Sequence, residues 1–305
     1  RPDLIIGAGG GSSMDLAKAV FILYERANVP LDKVDPAWKL GLRKRSRLIL
    51  IPTTSGTGSE ANWGSVITFA WGTVKAKVAI GNRELIPDYA IVDPYFVYDL
   101  PQRLVASTGL DALTHAIEGI ISPWSNELVY ATGLRAIKLL FRYLPKSYKD
   151  KDREAREKVH YAGTLAGLAF GNSQVTLCHG LGHALGATFN IPHGLAVAVF
   201  LPYVIDYYGD SARDALMEIA EEIGIEDADN IGELKNRIIA LIRTVNGYTK
   251  LSDFGISEED FRERLDVLID LSKSDPCTYS GPRIPTDAEI RSLFEHAYYG
   301  ETVDF

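Results

Sequence analysis

Pro101 separates two textures of sequence, and that change constrains the fold more than any other feature. Before it, short apolar runs are cut by glycine-rich turns. After it, long stretches repeat their apolar residues with the period of a helix. Short apolar runs bounded by turn residues read as buried strands, and the longer repeat reads as amphipathic or buried helix. A chain that alternates strand with helix and then turns wholly helical implies an α/β unit followed by an all-α unit. The expected division is residues 1–100 and residues 101–305, and 305 residues suffice for two cores.

In the first unit, residues 4–8 form a strand that enters Gly9-Gly10-Gly11-Ser12-Ser13-Met14-Asp15, after which Leu16–Val20 opens a helix. Strand, glycine turn and helix is an arrangement whose backbone N–H groups hold a phosphate, and it serves equally as a plain left-handed turn. It is neither GxGxxG nor a Walker loop. Asp15 suits the helix dipole, and Lys18 reads as a solvated helix residue. A parallel strand needs neighbours, so this reading expects sequence ahead of Arg1. Residues 30–46, with Pro30 and Pro36, form a surface excursion. A strand over Leu48–Pro52 ends in Thr53-Thr54-Ser55-Gly56-Thr57-Gly58-Ser59-Glu60, a hydroxyl-rich loop at the end of a strand where α/β sheets bind ligands. Val66–Phe69 and Lys75–Ile80 make a hairpin with Gly72 near its turn, and Ala90–Pro94 makes another strand. The helical unit is expected as helices over Arg103–Ile121, Leu128–Leu144, 150–170, 174–188, Gly194–Tyr207, Ala212–Ile223, Asn230–Val245, Glu258–Asp270 and Asp287–Tyr299.

Three of the six histidines lie within Cys178–Gly194. His179 and His183 are four apart and share a helix face; Pro192 and the neighbouring glycines break the helix and let His193 turn back. Asp111 and His115 repeat the spacing upstream. One carboxylate and three imidazoles suit a divalent first-row metal, Fe²⁺, Zn²⁺, Co²⁺ or Ni²⁺. Cys178 reads as a small buried residue. The net charge of −8 argues against a nucleic-acid or anionic-membrane surface. No apolar run approaches a membrane span, and no signal-peptide pattern opens the chain. Two cysteines are too few for a disulfide scaffold, so the cytoplasm is expected.

Several blocks resemble one family, the iron-containing (group III) alcohol dehydrogenases: GGGSSMDLAK at 9–18, IPTTSGTGSE at 51–60, IPDYAIVDP at 86–94, STGLDALTHAIE at 107–118, HGLGHALGATFNIPHG at 179–194 and GPRIPTDAEI at 281–290. The resemblance implies a Rossmann-like nucleotide-binding domain followed by an α-helical metal-binding domain, the dehydroquinate synthase-like fold. It implies hydride transfer between a small alcohol, or its aldehyde, and NAD or NADP. Carried over position by position, it makes Asp111, His115, His179 and His193 the metal ligands, with Fe²⁺ by family habit and Zn²⁺ or another divalent ion as alternatives. His183 becomes a proton relay. Gly10, Gly11, Ser12 and Asp15 match the phosphate turn, Thr53, Thr54 and Thr57 the cofactor loop, and Lys77 a lysine near the nicotinamide ribose. Asn62 falls where cofactor and substrate meet. Trp63, Phe170 and Phe189 either shape the substrate wall or fill core. A homo-oligomer, a dimer, follows by analogy. A glycerol-dehydrogenase-like polyol oxidoreductase, a dehydroquinate-synthase-like lyase and a truncated non-catalytic helical module are the competing readings. The lyase would call for a cluster of basic residues near the metal, and none occurs in 107–118 or 179–194.

Overall fold

The computed structural model describes residues 1–71, 74–226 and 231–305, without side chains at 68–71 and 74–78. Strand β1 (Leu4–Gly9) pairs in parallel with β2 (Arg47–Pro52), Leu4 opposite Arg47 and Gly9 opposite Pro52. A two-residue strand, β5 (Tyr89–Ala90), flanks β2, giving the order β1-β2-β5. Between them β3 (Gly64–Trp71) and β4 (Val74–Gly81) form an antiparallel hairpin with Val66 opposite Ala79. The expected turn residue Gly72 lies outside the described residues. The helix after the glycine turn, α1 (Gly11–Glu25), starts within the turn itself. It lays Met14, Ala17, Phe21 and Ile22 on Leu48 and Leu50 of β2. Expected strand 90–94 is cut short because Asp93 accepts a hydrogen bond from the Tyr95 amide and starts a 3-10 turn over Pro94–Val97.

The second unit is helical throughout its described residues. Helix α2 (Gln102–Ile121) is buried on nearly every side from Val105 onward, the expected state of a helix without a polar face. Around it pack α3 (Glu127–Lys149), α4 (Arg153–Gly171), α5 (Leu177–Phe189) and α6 (His193–Ala198). Then follow α7 (Leu201–Tyr208), α8 (Arg213–Glu222), α9 (Ile231–Val245), α10 (Glu258–Ser274) and α11 (Asp287–Tyr299). Two expectations fail in detail. The apolar run 194–207 is two helices rather than one, α7 starting afresh with Pro202 in its first turn, where a missing N–H costs nothing. And α3 runs past Pro145 to Lys149, since a proline near a helix end removes only one amide bond.

Two apolar cores result, one drawn from residues 14–85 and one from residues 105–303. Between them the loop after β2 presses backbone to backbone on α4. A Cβ built on Gly58 would lie 2.4 Å from the Gly167 Cα, and Gly58 itself has φ +58°. Glycine is demanded there on both counts. The same contact is bonded by Thr164 Oγ1 donating to Glu60 Oε1 at 2.7 Å and by Trp63 Nε1 donating to the Gly171 carbonyl at 2.7 Å. Ser55 Oγ and His160 Nδ1 meet beside it at 3.1 Å.

Candidate metal centre

Asp111 and His115 stand one turn apart on the buried α2, so one face carries both. His179 comes from the first turn of α5, which ends at Asn190 in the left-handed conformation that asparagine tolerates. Ile191 and Pro192 then reverse the chain, and His193 is the first residue of α6. Gly194 makes the return possible. A Cβ there would lie 1.9 Å from the Ser107 carbonyl oxygen and 2.8 Å from the Asp111 Cβ, so only glycine lets α6 reach α2. The result is that one ligand atom from each of Asp111, His115, His179 and His193 lies within 4.8 Å of all the others. His193 Nε2 is 3.3 Å and His115 Nε2 3.8 Å from Asp111 Oδ1. Phe170 fixes the His115 ring by stacking at 4.3 Å, with His179 on the ring as well at 4.8 Å.

The residues pass a direct test of fitness for a cation. Asp111 Oδ1, His115 Nδ1 and His179 Nε2 are buried without a hydrogen-bond partner. Such atoms are expensive unless another group satisfies them. A single divalent ion at the convergence would take Asp111 Oδ1 and His179 Nε2 together, and an N₃O donor set suits the first-row metals. Burial pushes the Asp111 carboxyl up, but the imidazoles of His115, His193, His179 and His183 outweigh it and hold the group below its ordinary value. Burial, reinforced by the neighbouring imidazoles, holds His179 well below its own. Both shifts favour the forms that bind metal: carboxylate and neutral imidazole.

His183, on the same face of α5 as His179, stands beside this group rather than in it. Its ring stacks on His193 at 5.2 Å and meets His179 edge-on at 5.6 Å. Its Nδ1 is 2.6 Å from Asp275 Oδ2, and Asp275 is in turn fixed by the Cys277 amide at 2.9 Å. The side chain is 37% exposed, so it reaches solvent. Cys178 is buried as read, and neither cysteine is in a disulfide.

At the other end, Gly10 and Gly11 lie against Thr54 and Thr57, and the Thr53 amide donates to the Gly9 carbonyl at 2.9 Å. Thus the two loops expected at the cofactor are neighbours. The first turn of α1 has no side-chain cap; the Ser13 and Met14 amides donate to the Gly10 carbonyl, which leaves the Gly11 and Ser12 N–H groups to face an anion, and Ser12 is exposed there. Asp15 is differently employed: it accepts from Ser59 Oγ at 2.7 Å and from the Val66 amide at 2.9 Å. Asn62 is also committed internally, donating to the Gly58 carbonyl and accepting from the Gly64 amide, each at 2.8 Å. Lys77 stands on β4 opposite Thr68, and its side chain lies outside the described ones. Lys18, expected in solvent, is fully buried and donates to the carbonyls of Gly64 at 2.7 Å and Asn62 at 2.9 Å. Burial pushes its ammonium down to about 8. Trp63 and Phe170 are spoken for by Gly171 and His115, and Phe189 lies under the Arg264 guanidinium at 5.7 Å.

Two carboxylates at the centre escaped the sequence reading. Glu118 is fully buried one turn beyond His115, with one oxygen on His179 Nδ1. The signal was a lone acid in the apolar run HAIEGII. Asp275 lies 92 positions from His183 and gave no local sign.

Comparison with known proteins gives two family matches. Residues 1–94 match the sequence model described as "Iron-containing alcohol dehydrogenase", and residues 105–298 match "Fe-containing alcohol dehydrogenase family, C-terminal". The chain is 39% identical to the NADPH-dependent butanol dehydrogenase of Clostridium saccharobutylicum, over all of this chain and 79% of that one. It is 35% identical to the bifunctional aldehyde-alcohol dehydrogenase AdhE of Escherichia coli, over 98% of this chain and 37% of that longer protein. Among solved structures it resembles the iron-containing alcohol dehydrogenase of Thermococcus thioreducens, with a TM-score of 0.87 and 34% identity over 98% of this chain and 78% of that one.

Proposed function

This chain belongs to the iron-containing alcohol dehydrogenase family, and from that premise we propose that Asp111, His115, His179 and His193 hold one divalent cation, Fe²⁺ in the native protein, beside a bound nicotinamide cofactor. The observation that carries the reading is the convergence of these four side chains within 4.8 Å, with buried donor atoms left without partners. The reaction is oxidation of a small primary alcohol, or reduction of its aldehyde, with NAD or NADP as hydride carrier. A cation held here supplies Lewis acidity to the alcohol or carbonyl oxygen.

The chain's own residues do the remaining work. Asp111 brings the negative charge, and α2 holds it one turn from His115. Phe170 and His179 on the His115 ring leave it little freedom to turn away. Asp275 holds His183 by Nδ1, which leaves Nε2 to take up a proton and hand it to solvent. Gly10, Gly11 and Ser12 receive the cofactor phosphate at the head of α1, with Thr53, Thr54 and Thr57 along its flank. Asp15 and Asn62, whose polar atoms are bonded within the protein, hold this cradle in shape; Lys77 completes the cofactor set. The nucleotide domain spans residues 1–100 and the metal domain residues 101–305, in line with the two separate cores.

A cytoplasmic homodimer is the proposed form; two free cysteines suit a reducing compartment, and no helix among the described residues is long and apolar enough to cross a membrane. The test is His193→Ala. Metal content by elemental analysis and alcohol oxidation should fall together, while NADH and NADPH fluorescence titrations report cofactor binding separately. Unchanged metal in the variant, or silence with both cofactors in the native chain, overturns the reading.

A further inference from the structure

Glu118 has no role in the reading above, yet it is the best-connected buried acid near the centre. It lies on α2 three residues after His115 and is fully buried. Its Oε1 accepts from Thr176 Oγ1 and from the Cys178 amide, each at 2.7 Å. Its Oε2 meets His179 Nδ1. Burial outweighs the Thr176 and Cys178 donors and leaves the carboxyl above its ordinary value. The three contacts all fall on residues 176–179, where α5 begins.

This geometry decides which nitrogen of His179 is available. A carboxylate accepts only, so Nδ1 must carry the proton and Nε2 must present a lone pair. Nε2 is the buried nitrogen without a hydrogen-bond partner. His115 differs, its Nδ1 having no partner. A carboxylate behind a ligating imidazole fixes both tautomer and ring direction. We propose that Glu118 is a positioning residue: it locks His179 in the Nδ1–H tautomer, and it fastens the start of α5 to the helix bearing Asp111 and His115 before any metal arrives. The proposal rests on the ligand role of His179 in the reading above.

The first test needs no variant. In the metal-stripped native chain, ¹⁵N-imidazole NMR should show His179 protonated at Nδ1; a proton at Nε2 overturns the proposal. The second test measures Co²⁺ affinity by chelator competition in Glu118→Ala and Glu118→Gln, alongside the melting temperature of each stripped protein. Loss of the carboxylate should weaken Co²⁺ by roughly 10–100-fold. Glutamine keeps its oxygen on the Thr176 and Cys178 donors and turns its NH₂ to His179 Nδ1, which favours the proton on Nε2, so it should weaken Co²⁺ at least as much as alanine while keeping the tie between the helices. A carboxylate that only staples two helices would lower the melting temperature and leave the Co²⁺ affinity of the folded protein unchanged, and that result also overturns the proposal. Should neither variant fold, the NMR of the native chain decides alone. A native chain that takes up no Co²⁺ defeats the ligand assignment, whereas tight native binding with equally tight variants defeats only the role of Glu118.

Discussion

Replacing Gly194 by alanine tests the centre through its packing rather than its ligands. The new methyl would lie 1.9 Å from the Ser107 carbonyl oxygen and 2.8 Å from both the Ser107 carbonyl carbon and the Asp111 Cβ. The carbonyl belongs to α2, which is packed in on nearly every side and cannot yield. Helix α6 must therefore retreat by about 1.5 Å to bring the closest contact to an ordinary separation near 3.4 Å. His193 immediately precedes Gly194 and moves with it, away from the Asp111 oxygen now 3.3 Å from its Nε2. Metal–ligand bonds tolerate deviations of about 0.2 Å, so this displacement removes one ligand of four. Overpacking of this kind costs about 1–3 kcal/mol, which a domain with ordinary stability survives. The expected variant is folded, melts somewhat lower when stripped, and retains little metal after desalting. Elemental analysis and calorimetry read the two effects separately. Native metal content in a folded Gly194→Ala protein would show that the contact yields without moving His193, and the steric argument would fail.

His183→Ala should keep its metal and lose turnover by roughly 100-fold, since the side chain that carries the proton is gone while the four ligands remain. Metal loss in elemental analysis would instead make His183 a ligand. His160 supplies a pH prediction. Burial pushes it down to about 4, against a weak opposing pull from Asp93. The unfolded chain therefore binds a proton between pH 6.5 and 4 that the folded chain refuses. Stability held by the neutral ring is complete above pH 6.5 and lost as pH falls towards 4, by about 2 kcal/mol between pH 7 and 5. His160→Phe should remove that part of the acid slope in urea unfolding of the stripped protein; an unchanged slope would refute it.

What the sequence made legible was whatever its local patterns encode. The i, i+4 pairs on α2 and α5 and the break at Pro192 were visible as spacing, and the strand–turn–helix at residues 4–25 as an alternation of textures. Long-range partners were not. Asp275 reaches His183 only through the packing of α10 and the turn after it on α5, which no spacing in the chain predicts. Lys18 was misread for a different reason. It lies on the stripe of Met14, Ala17, Phe21 and Ile22, so the helical period had already turned it inward; only its charge suggested solvent. Carbonyls from residues 62 and 64 supply in the interior what water would have supplied outside.

The glycine contact between the loop after β2 and helix α4 restricts how such proteins can be recombined. Gly58 and Gly167 come from opposite halves of the chain, yet neither has room for even one more carbon. A chimera that exchanges the first hundred residues to alter coenzyme choice would pair a foreign loop with a resident helix. Unless the graft also brings α4, or the donor carries the same two glycines, the halves will sit apart and the hydride will have too far to travel.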